Sequence, residues 1–188
     1  MGRLASVMNA LGMQSALEQV GDFSALPPAV ILAVDETVLD NSPYQARLLV
    51  SGESYSSDSW ADWVDERIAE AVPGALEFTT GAAALGITVF YVTNRRAPQE
   101  QATRDNLDAL GFPLRNDLDV ILTRGEQPDW DSPKSGRRRA VADTHRVLML
   151  VGDDLNDFVE VDGLTVAGRD EVAGRYGEYW GHRWRMLP

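Results

Sequence analysis

Cysteine is absent from the 188 residues of this chain, and lysine occurs only once. The lack of cysteine excludes structural disulfides, thiolate zinc sites and cysteine nucleophiles, although it leaves the cellular compartment open. Basic residues are few as well, with 17 lysines and arginines against 29 aspartates and glutamates and a formal net charge of -12. Such a surface repels nucleic-acid phosphates and anionic lipid, so no nucleic-acid partner is expected, while metal cations are attracted.

Long hydrophobic runs are also missing, because no apolar stretch approaches the roughly eighteen residues of a transmembrane helix. We therefore expect no membrane insertion. The length and the hydrophobic content of 44% fit a single globular domain over residues 1–188. Near the amino terminus, helical spacing of apolar residues favours an amphipathic helix over a secretory leader. These residues are Leu4, Val7, Met8, Leu11, Leu17 and Val20.

Short apolar segments alternate with helix-like segments along the rest of the chain. The apolar segments are typical of strands buried on both faces. They cover residues 29–34, 87–92, 120–122 and 147–151, with a weaker segment at 164–167. Helices are predicted over residues 75–85, 98–110, 133–145 and 170–180. This alternation predicts an α/β fold with a mostly parallel sheet flanked by helices.

The connection between the first two predicted strands is too long for a simple crossover. We expect residues 41–73 to form a small cap inserted after the first strand. Within it, Ser59 or Asp58 could cap a helix that carries Trp60 and Trp63. Tyr44 and Trp60 could stack on a substrate ring at the mouth of a site, or could form the core of the cap, which is the better interpretation for Trp63.

Polar side chains follow the predicted strands at the points where the strands end. Asp35 follows the first strand, Thr93 and Asn94 the second, and Asp153 the fourth, while Lys134 opens a helix. Because parallel strands end at one edge of a sheet, these groups should converge. Carboxylate oxygens suit magnesium, and a hydroxyl with a lysine suits a phosphate. The residues alone therefore predict a magnesium-dependent phosphate site.

Four segments resemble, in order and spacing, the motifs of the class C acid phosphatases of the haloacid dehalogenase superfamily. The first is 34–44 (VDETVLDNSPY), the second Thr93-Asn94-Arg95, the third Lys134, and the fourth 152–158 (GDDLNDF). The resemblance extends from about residue 29 to the carboxyl terminus. It implies a Rossmann-like core, a Mg²⁺ cofactor, and a phosphomonoesterase that works through an aspartyl-phosphate.

The resemblance also implies a role for each motif residue. Asp35 would act as general acid and then as general base, and its backbone carbonyl would face the metal. Asp153 would be the carboxylate ligand, with Asp154 or Asp157 holding metal-bound waters. Thr93 and Asn94 would bind the phosphoryl oxygens, and Lys134 would neutralise the charge that builds up during transfer.

One position departs from the family pattern. The family has a nucleophilic aspartate two residues before Asp35, where this chain has Ala33. A methyl group can neither attack phosphorus nor bind magnesium, so the chain as given is expected to be inactive. Because the other motifs are intact, an introduced change is favoured over natural drift. The alternatives are a pseudo-phosphatase that only binds phosphorylated ligands, and a phosphotransferase with the same site.

The remaining expectations concern partners and surroundings. The implied substrates are small phosphomonoesters such as nucleoside monophosphates or aryl phosphates. The resemblance implies a periplasmic or secreted protein, but no lipoprotein cysteine is present, so localisation and oligomeric state stay open. The arginine run at 137–139 is expected to be a solvated helix face. His145 and His182 lie outside the motifs and receive no chemical role.

Overall fold

The computed structural model describes residues 14–188, which form a parallel sheet flanked by helices. The sheet has the order β5-β4-β1-β6-β7, and each neighbouring pair is parallel. Its strands are β1 (Pro28–Leu32), β4 (Thr88–Arg96), β5 (Ile121–Arg124), β6 (Arg146–Gly152) and β7 (Trp184–Met186). The predicted fold class is confirmed.

Helices cover the sheet because the parallel strands need crossover connections. The α-helices of the described residues are α1 (Ser42–Ser51), α2 (Ser57–Glu66), α3 (Ala75–Ala84), α4 (Glu100–Leu110), α5 (Ser135–Ala142) and α6 (Val166–Arg175). Among them, no helix is long and apolar enough to cross a membrane. The hydrophobic core lies around β1, β4 and β6, whose residues are almost all buried.

Between β1 and β4, the chain forms the three helices α1, α2 and α3 and a small antiparallel ribbon. The ribbon pairs β2 (Leu39–Asp40) with β3 (Glu70–Ala71). Helix α2 begins after Ser56, whose hydroxyl accepts a hydrogen bond from the Ser59 backbone N–H at 3.1 Å. The cap of this helix is therefore Ser56, and the predictions of Ser59 and Asp58 were wrong. The cap-domain boundaries at residues 41 and 73 stay a prediction.

Two sequence predictions fail at the ends of the chain. The weak apolar segment 164–167 is not a strand, because Thr165 caps helix α6 by accepting the Gly168 backbone N–H at 3.2 Å. The predicted amino-terminal helix lies mostly outside the described residues. Its last part is described, and there Leu17 lies in a turn while Val20 is 81% exposed.

Candidate active site

The carboxyl edge of the sheet brings together the four segments that the sequence analysis singled out. Ala33 directly follows β1 and is 5% exposed, and its backbone N–H donates to the Val151 carbonyl of β6 at 2.9 Å. Thr93 lies near the end of β4, and Asp153 follows the end of β6. Position 33 is therefore fixed at the centre of this edge, between the two neighbouring strands.

Asp35 is held by three side chains. Its Oδ2 accepts a hydrogen bond from the Thr93 hydroxyl at 3.2 Å. Its Oδ1 accepts from Arg95 Nε at 2.9 Å and from Asn41 Nδ2 at 3.1 Å. The Arg95 guanidinium is almost fully buried, whereas a quarter of the Asp35 side chain is exposed. The carboxylate is thus fixed in position while one side of it stays open to solvent.

Thr93 and Asn94 are anchored from the opposite side by Arg137. Arg137 is buried and donates to the backbone carbonyl of Thr93 and, at 2.8 Å, to the side-chain oxygen of Asn94. Because the amide oxygen of Asn94 is occupied, its N–H₂ group is left as the donor available to a ligand. Burial, followed by the positive charge of Arg138, lowers the pKa of Arg137 to about 10.

Lys134 and Asp157 form a buried ion pair beside the end of β6. The other Asp157 oxygen accepts the backbone N–H groups of Asp153 and Asp154, each at 3.1 Å. Both oxygens of Asp157 are therefore engaged within the protein. Asp157 fixes the loop after β6, while Asp154 is exposed and pairs with Arg169 at 2.8 Å.

Burial and neighbouring carboxylates raise the pKa of Asp153 and of Glu36 at this edge. Asp153 accepts the Thr37 hydroxyl at 3.0 Å through Oδ1. Burial, with a contribution from the charge of Asp157, raises the pKa of Asp153. Partial burial and the charges of Asp35 and Asp153 raise the pKa of Glu36 to about 7. Asp153 and Glu36 are therefore harder to ionise than exposed carboxyl groups.

The carboxylate oxygens at this edge of the sheet suit a hard divalent cation. Among the described residues, no hydrogen bond reaches Asp153 Oδ2, so that oxygen is available to a metal. A second carboxylate cluster, formed by Glu100, Asp119 and Glu126, lies within the described region. It contains none of the predicted ligands, and Arg104 pairs with Glu100 and Asp119 at 3.4 and 3.2 Å.

The aromatic residues before β4 fall into two groups. Tyr44 is 3% exposed, donates or accepts a hydrogen bond with the Ser59 hydroxyl at 2.9 Å, and packs edge-on against Trp60. Trp63 is 2% exposed, and its Nε1 donates to the Asn41 side-chain oxygen at 2.8 Å, so it belongs to the core as expected. Trp60 is half-buried and borders an open cavity next to Asn94.

The arginine run is not the solvated face that the sequence suggested. Arg137 and Arg138 are both buried, and only Arg139 is exposed. Arg138 binds the Glu18 carboxylate at 2.6 Å and the backbone carbonyls of Asn156 and Asp157 at 3.1 Å. The expectation was wrong because acceptors for both side chains were available inside the fold. Arg138 pairs with the Glu18 carboxylate, and Arg137 donates to backbone carbonyls and to the Asn94 amide oxygen.

Four site residues were missed, although three of them lie inside the quoted motifs. Arg95 follows Thr93 and Asn94 directly, and Asn41 and Thr37 belong to the first motif. Arg137 lies three residues after Lys134, one helical turn along α5. Position within a motif was the available signal for Arg95, Asn41 and Thr37, whereas Arg137 lies outside the quoted segments.

The fold and the strand-end groups together are of the haloacid dehalogenase type. Residues 6–188 match the family model described as HAD superfamily, subfamily IIIB (acid phosphatase). The chain belongs to this family of acid phosphatases. The resemblance indicated by the four sequence motifs is thereby confirmed.

Solved structures of acid phosphatases resemble this chain over most of its length. A class C acid phosphatase from Bacillus anthracis is 34% identical with a TM-score of 0.79, over 87% of this chain and 67% of that chain. A structure of the Bacillus anthracis class C acid phosphatase with tungstate bound is 30% identical with a TM-score of 0.78. It covers 100% of this chain and 80% of that chain.

Curated plant proteins are more distant relatives. Acid phosphatase 1 from Solanum lycopersicum is 29% identical over 133 residues, which is 69% of this chain and 51% of that protein. The stem 28 kDa glycoprotein of Glycine max is 23% identical over 133 residues, which is 69% of this chain and 52% of that protein. The chain thus spans about half the length of these curated relatives.

Proposed function

We propose that this chain is a magnesium-dependent phosphomonoesterase of the acid phosphatase family whose nucleophile position is occupied by Ala33. As given, it binds small phosphomonoesters, such as nucleoside monophosphates or aryl phosphates, without cleaving them. The observation that carries the proposal is the arrangement around position 33. Asp35, Thr93 and Asp153 lie at the strand ends next to it, and each is held by hydrogen bonds within the protein.

The residues present would bind and orient a phosphate ester. Asn94 would donate through its free N–H₂ group, and Lys134 would supply positive charge. Support also comes from the relative whose solved structure has tungstate bound, because tungstate is a tetrahedral oxyanion like phosphate. A phosphoryl group is thus the ligand that this combination of donors favours.

Asp35 would carry the proton transfers. Its carboxyl would donate a proton to the leaving alkoxide and, as carboxylate, would later accept a proton from water. Arg95 and Thr93 keep this carboxylate in one orientation. With Ala33 in place of an aspartate, no covalent intermediate forms at position 33, and the ester remains intact.

The magnesium ion would be held by the Asp153 carboxylate and the backbone carbonyl of Asp35, with Asp154 ordering bound water. When bound, the ion would offset negative charge on the phosphoryl oxygens. The raised pKa of Asp153 supports this assignment, because a carboxylate without a cation beside it is hard to ionise where it is partly buried. Asp157, whose oxygens are all engaged, would position the loop instead of binding water at the metal.

Ligand binding to the chain as given tests the proposal. A nucleoside monophosphate is expected to bind in the presence of Mg²⁺, and its ³¹P resonance is expected to remain that of the ester for hours. Lys134→Ala should weaken binding by about tenfold or more, because it removes a cation next to the phosphate. Lys134→Arg keeps a positive charge beside Asp157 and should therefore weaken binding less than Lys134→Ala does.

Arg139→Gln is the matched control, since Arg139 is exposed on the same helix. It should bind the nucleotide as the parent does. Equal affinity of Lys134→Ala and the parent would show that Lys134 is an ordinary lysine outside the phosphate site. Absence of any phosphomonoester binding to the parent would contradict the proposed function itself.

A further inference from the structure

A cavity of about 250 Å³ opens beside the phosphate-binding edge. We call it the side pocket. It is lined by Tyr55, Trp60, Asn94, Arg96 and Arg124, together with the start of helix α2. Asn94 thus belongs both to the proposed phosphate site and to the side pocket. A ligand with its phosphate at Asn94 can extend into this cavity.

Two arginines lie next to each other in the wall of the side pocket. Arg96 of β4 and Arg124 of β5 are partners in the register of the parallel sheet. Arg124 pairs with the Asp131 carboxylate at 2.7 Å. Arg96 is exposed, contacts the Ser57 hydroxyl at 3.4 Å, and forms no ion pair with any residue between 14 and 188. Its charge is therefore available to a ligand.

Arg96 places a positive charge in the side pocket of a strongly acidic chain. The formal net charge is -12, and the ion pairs of the described region engage many of the other arginines. Asp58 contributes a carboxylate to the same cavity without a hydrogen bond to Arg96 in the described structure. An unpaired guanidinium in a concave site next to a phosphate-binding edge is typical of anion recognition.

Asn94 and Arg96 both line the side pocket, and they lie two residues apart near the end of β4, where the register with β5 is irregular. The rings of Tyr55 and Trp60 lie beside them, with centroids 6.4 Å apart. A flat ring between the two strand positions would contact these aromatic side chains. If the phosphate of the ligand binds at Asn94, the group at the far side of its ring would reach Arg96.

We infer that the side pocket selects phosphomonoesters that carry a second anionic group, and that Arg96 is the specificity-determining residue. Arg124 lies beside Arg96 on the neighbouring strand, and its charge is paired with Asp131. The inference rests on the proposed function, because the phosphate site provides the first point of attachment. The favoured substrate class is a ring-containing phosphomonoester with a carboxylate or phosphate at the far side of the ring.

A pair of isosteric ligands tests this inference on the chain as given. The probes are 4-carboxyphenyl phosphate and 4-carbamoylphenyl phosphate, which differ in the charge of the group opposite the phosphate. Calorimetry with Mg²⁺ is expected to show tighter binding of the carboxylate ester. Arg96→Gln should lower the affinity for this ester about tenfold and change the affinity for the amide ester less than about twofold.

Two further variants sharpen the test. Arg115→Gln removes the same charge from the opposite edge of the sheet, where Arg115 is paired with Asp117, and should leave both affinities unchanged. Asp58→Asn removes the carboxylate from the side pocket and should favour the carboxylate ester by about twofold. Circular dichroism of each variant checks that the fold is retained.

The outcomes separate the inference from the proposed function. If the amide ester binds the parent but the carboxylate gives no advantage, the inference is wrong and the proposed function stands. An equal loss of both affinities in Arg96→Gln would also overturn the inference. If neither ester binds the parent, the proposed function fails.

Discussion

At the scale of single residues, Ala33 separates this chain from the reaction that its family resemblance implies. The side chains around it remain in ordered contacts, with Asp35 bonded to Arg95, Asn41 and Thr93. A methyl group at position 33 removes one potential carboxylate from this edge and leaves the other groups in place. We therefore expect a site that still binds a phosphate ester but has no nucleophile to accept the phosphoryl group.

The magnesium affinity should reveal this loss directly. With Ala33, the protein offers the Asp153 carboxylate and the Asp35 carbonyl, so Mg²⁺ should bind weakly and retain more water. Ala33→Asp should raise the affinity about tenfold or more by adding a charged oxygen ligand. Isothermal titration with MgCl₂ measures the difference, with Ala33→Asn as a neutral control of similar size. Equal and tight binding to all three proteins would place position 33 outside the metal's coordination sphere.

The sequence revealed which residue types meet at the site but not all of their partners. Asp35, Thr93 and Asp153 could be placed together because each follows a buried parallel strand or lies near its carboxyl end. The role of Arg137 could not be predicted, because the backbone carbonyl of Thr93 that it binds has no signature in the amino-acid sequence. A buried arginine and a solvated one look alike in a run of arginines.

At the scale of elements, the end of β6 and the turn after it form the least tolerant segment of the site. Gly152 lies so close to Asp157 that a Cβ atom at position 152 would be 2.2 Å from Asp157 Oδ2. Asp157 in turn binds Lys134 and the backbone of Asp153. Because Gly152 has no side chain, Asp157 can pack against the end of β6 and bind the backbone of the loop that follows.

Gly152→Ala should disturb this loop. We expect it to lower the free energy of unfolding by about 1–3 kcal/mol, because a buried carboxylate must move to make room. It should also weaken Mg²⁺ binding by shifting Asp153. Gly81→Ala is the matched control, because Gly81 lies in α3 with no atom within 4 Å of its added Cβ. That control should raise stability by about 0.5–1 kcal/mol. Urea denaturation measures the free energy of unfolding of both variants. Equal stability of Gly152→Ala and Gly81→Ala would contradict the close contact between position 152 and Asp157.

The elements themselves were largely predictable because buried parallel strands are continuous apolar runs. This signal failed at 164–167, where Thr165 is both a β-branched residue and a helix cap. A second signal, the helical spacing of apolar residues, failed at Leu17, which lies in a turn. Buried contacts fix this turn, including the Ser15 hydroxyl donating to the Leu148 carbonyl at 2.8 Å. Local spacing contains no information about such distant partners.

At the scale of the whole molecule, stability should depend on pH through a buried histidine. His145 is 7% exposed, and its ring packs edge-on against Phe90 with centroids 4.9 Å apart. Burial, together with the positive charge of Arg115, lowers the pKa of His145. The unfolded state therefore binds a proton more readily than the folded state below about pH 6.5, and stability contributed by neutral His145 is lost as the pH falls.

His145→Gln should remove this component of the pH dependence. The difference in unfolding free energy between the parent and His145→Gln is expected to shrink as the pH is lowered from 7.5 to 5.5. Chemical denaturation at several pH values measures it, and His182→Gln, at an exposed position, is the control. A difference that stays constant or grows on acidification would show that His145 accepts a proton as easily in the folded protein as in the unfolded one.

The topology explains why we expect the residue at position 33 to have a large effect on activity. Because all five strands of the main sheet are parallel, their carboxyl ends meet at one edge, and the chemistry of the molecule is concentrated there. Position 33 lies after the central strand, between the strands that lead to Thr93 and Asp153. Among the described strands, only β1 lies between two strands that both lead to predicted site residues.

Phosphomonoesterase activity of Ala33→Asp tests the central claim most directly. The parent, Ala33→Asn and Ala33→Asp are assayed with Mg²⁺ on a panel of aryl phosphates and nucleoside monophosphates. We predict that the parent and Ala33→Asn are almost inactive and that Ala33→Asp is faster by on the order of 10⁴-fold, because a nucleophile and its partners act as a unit. A folded Ala33→Asp protein that binds Mg²⁺ but stays inert toward the whole panel would contradict the account.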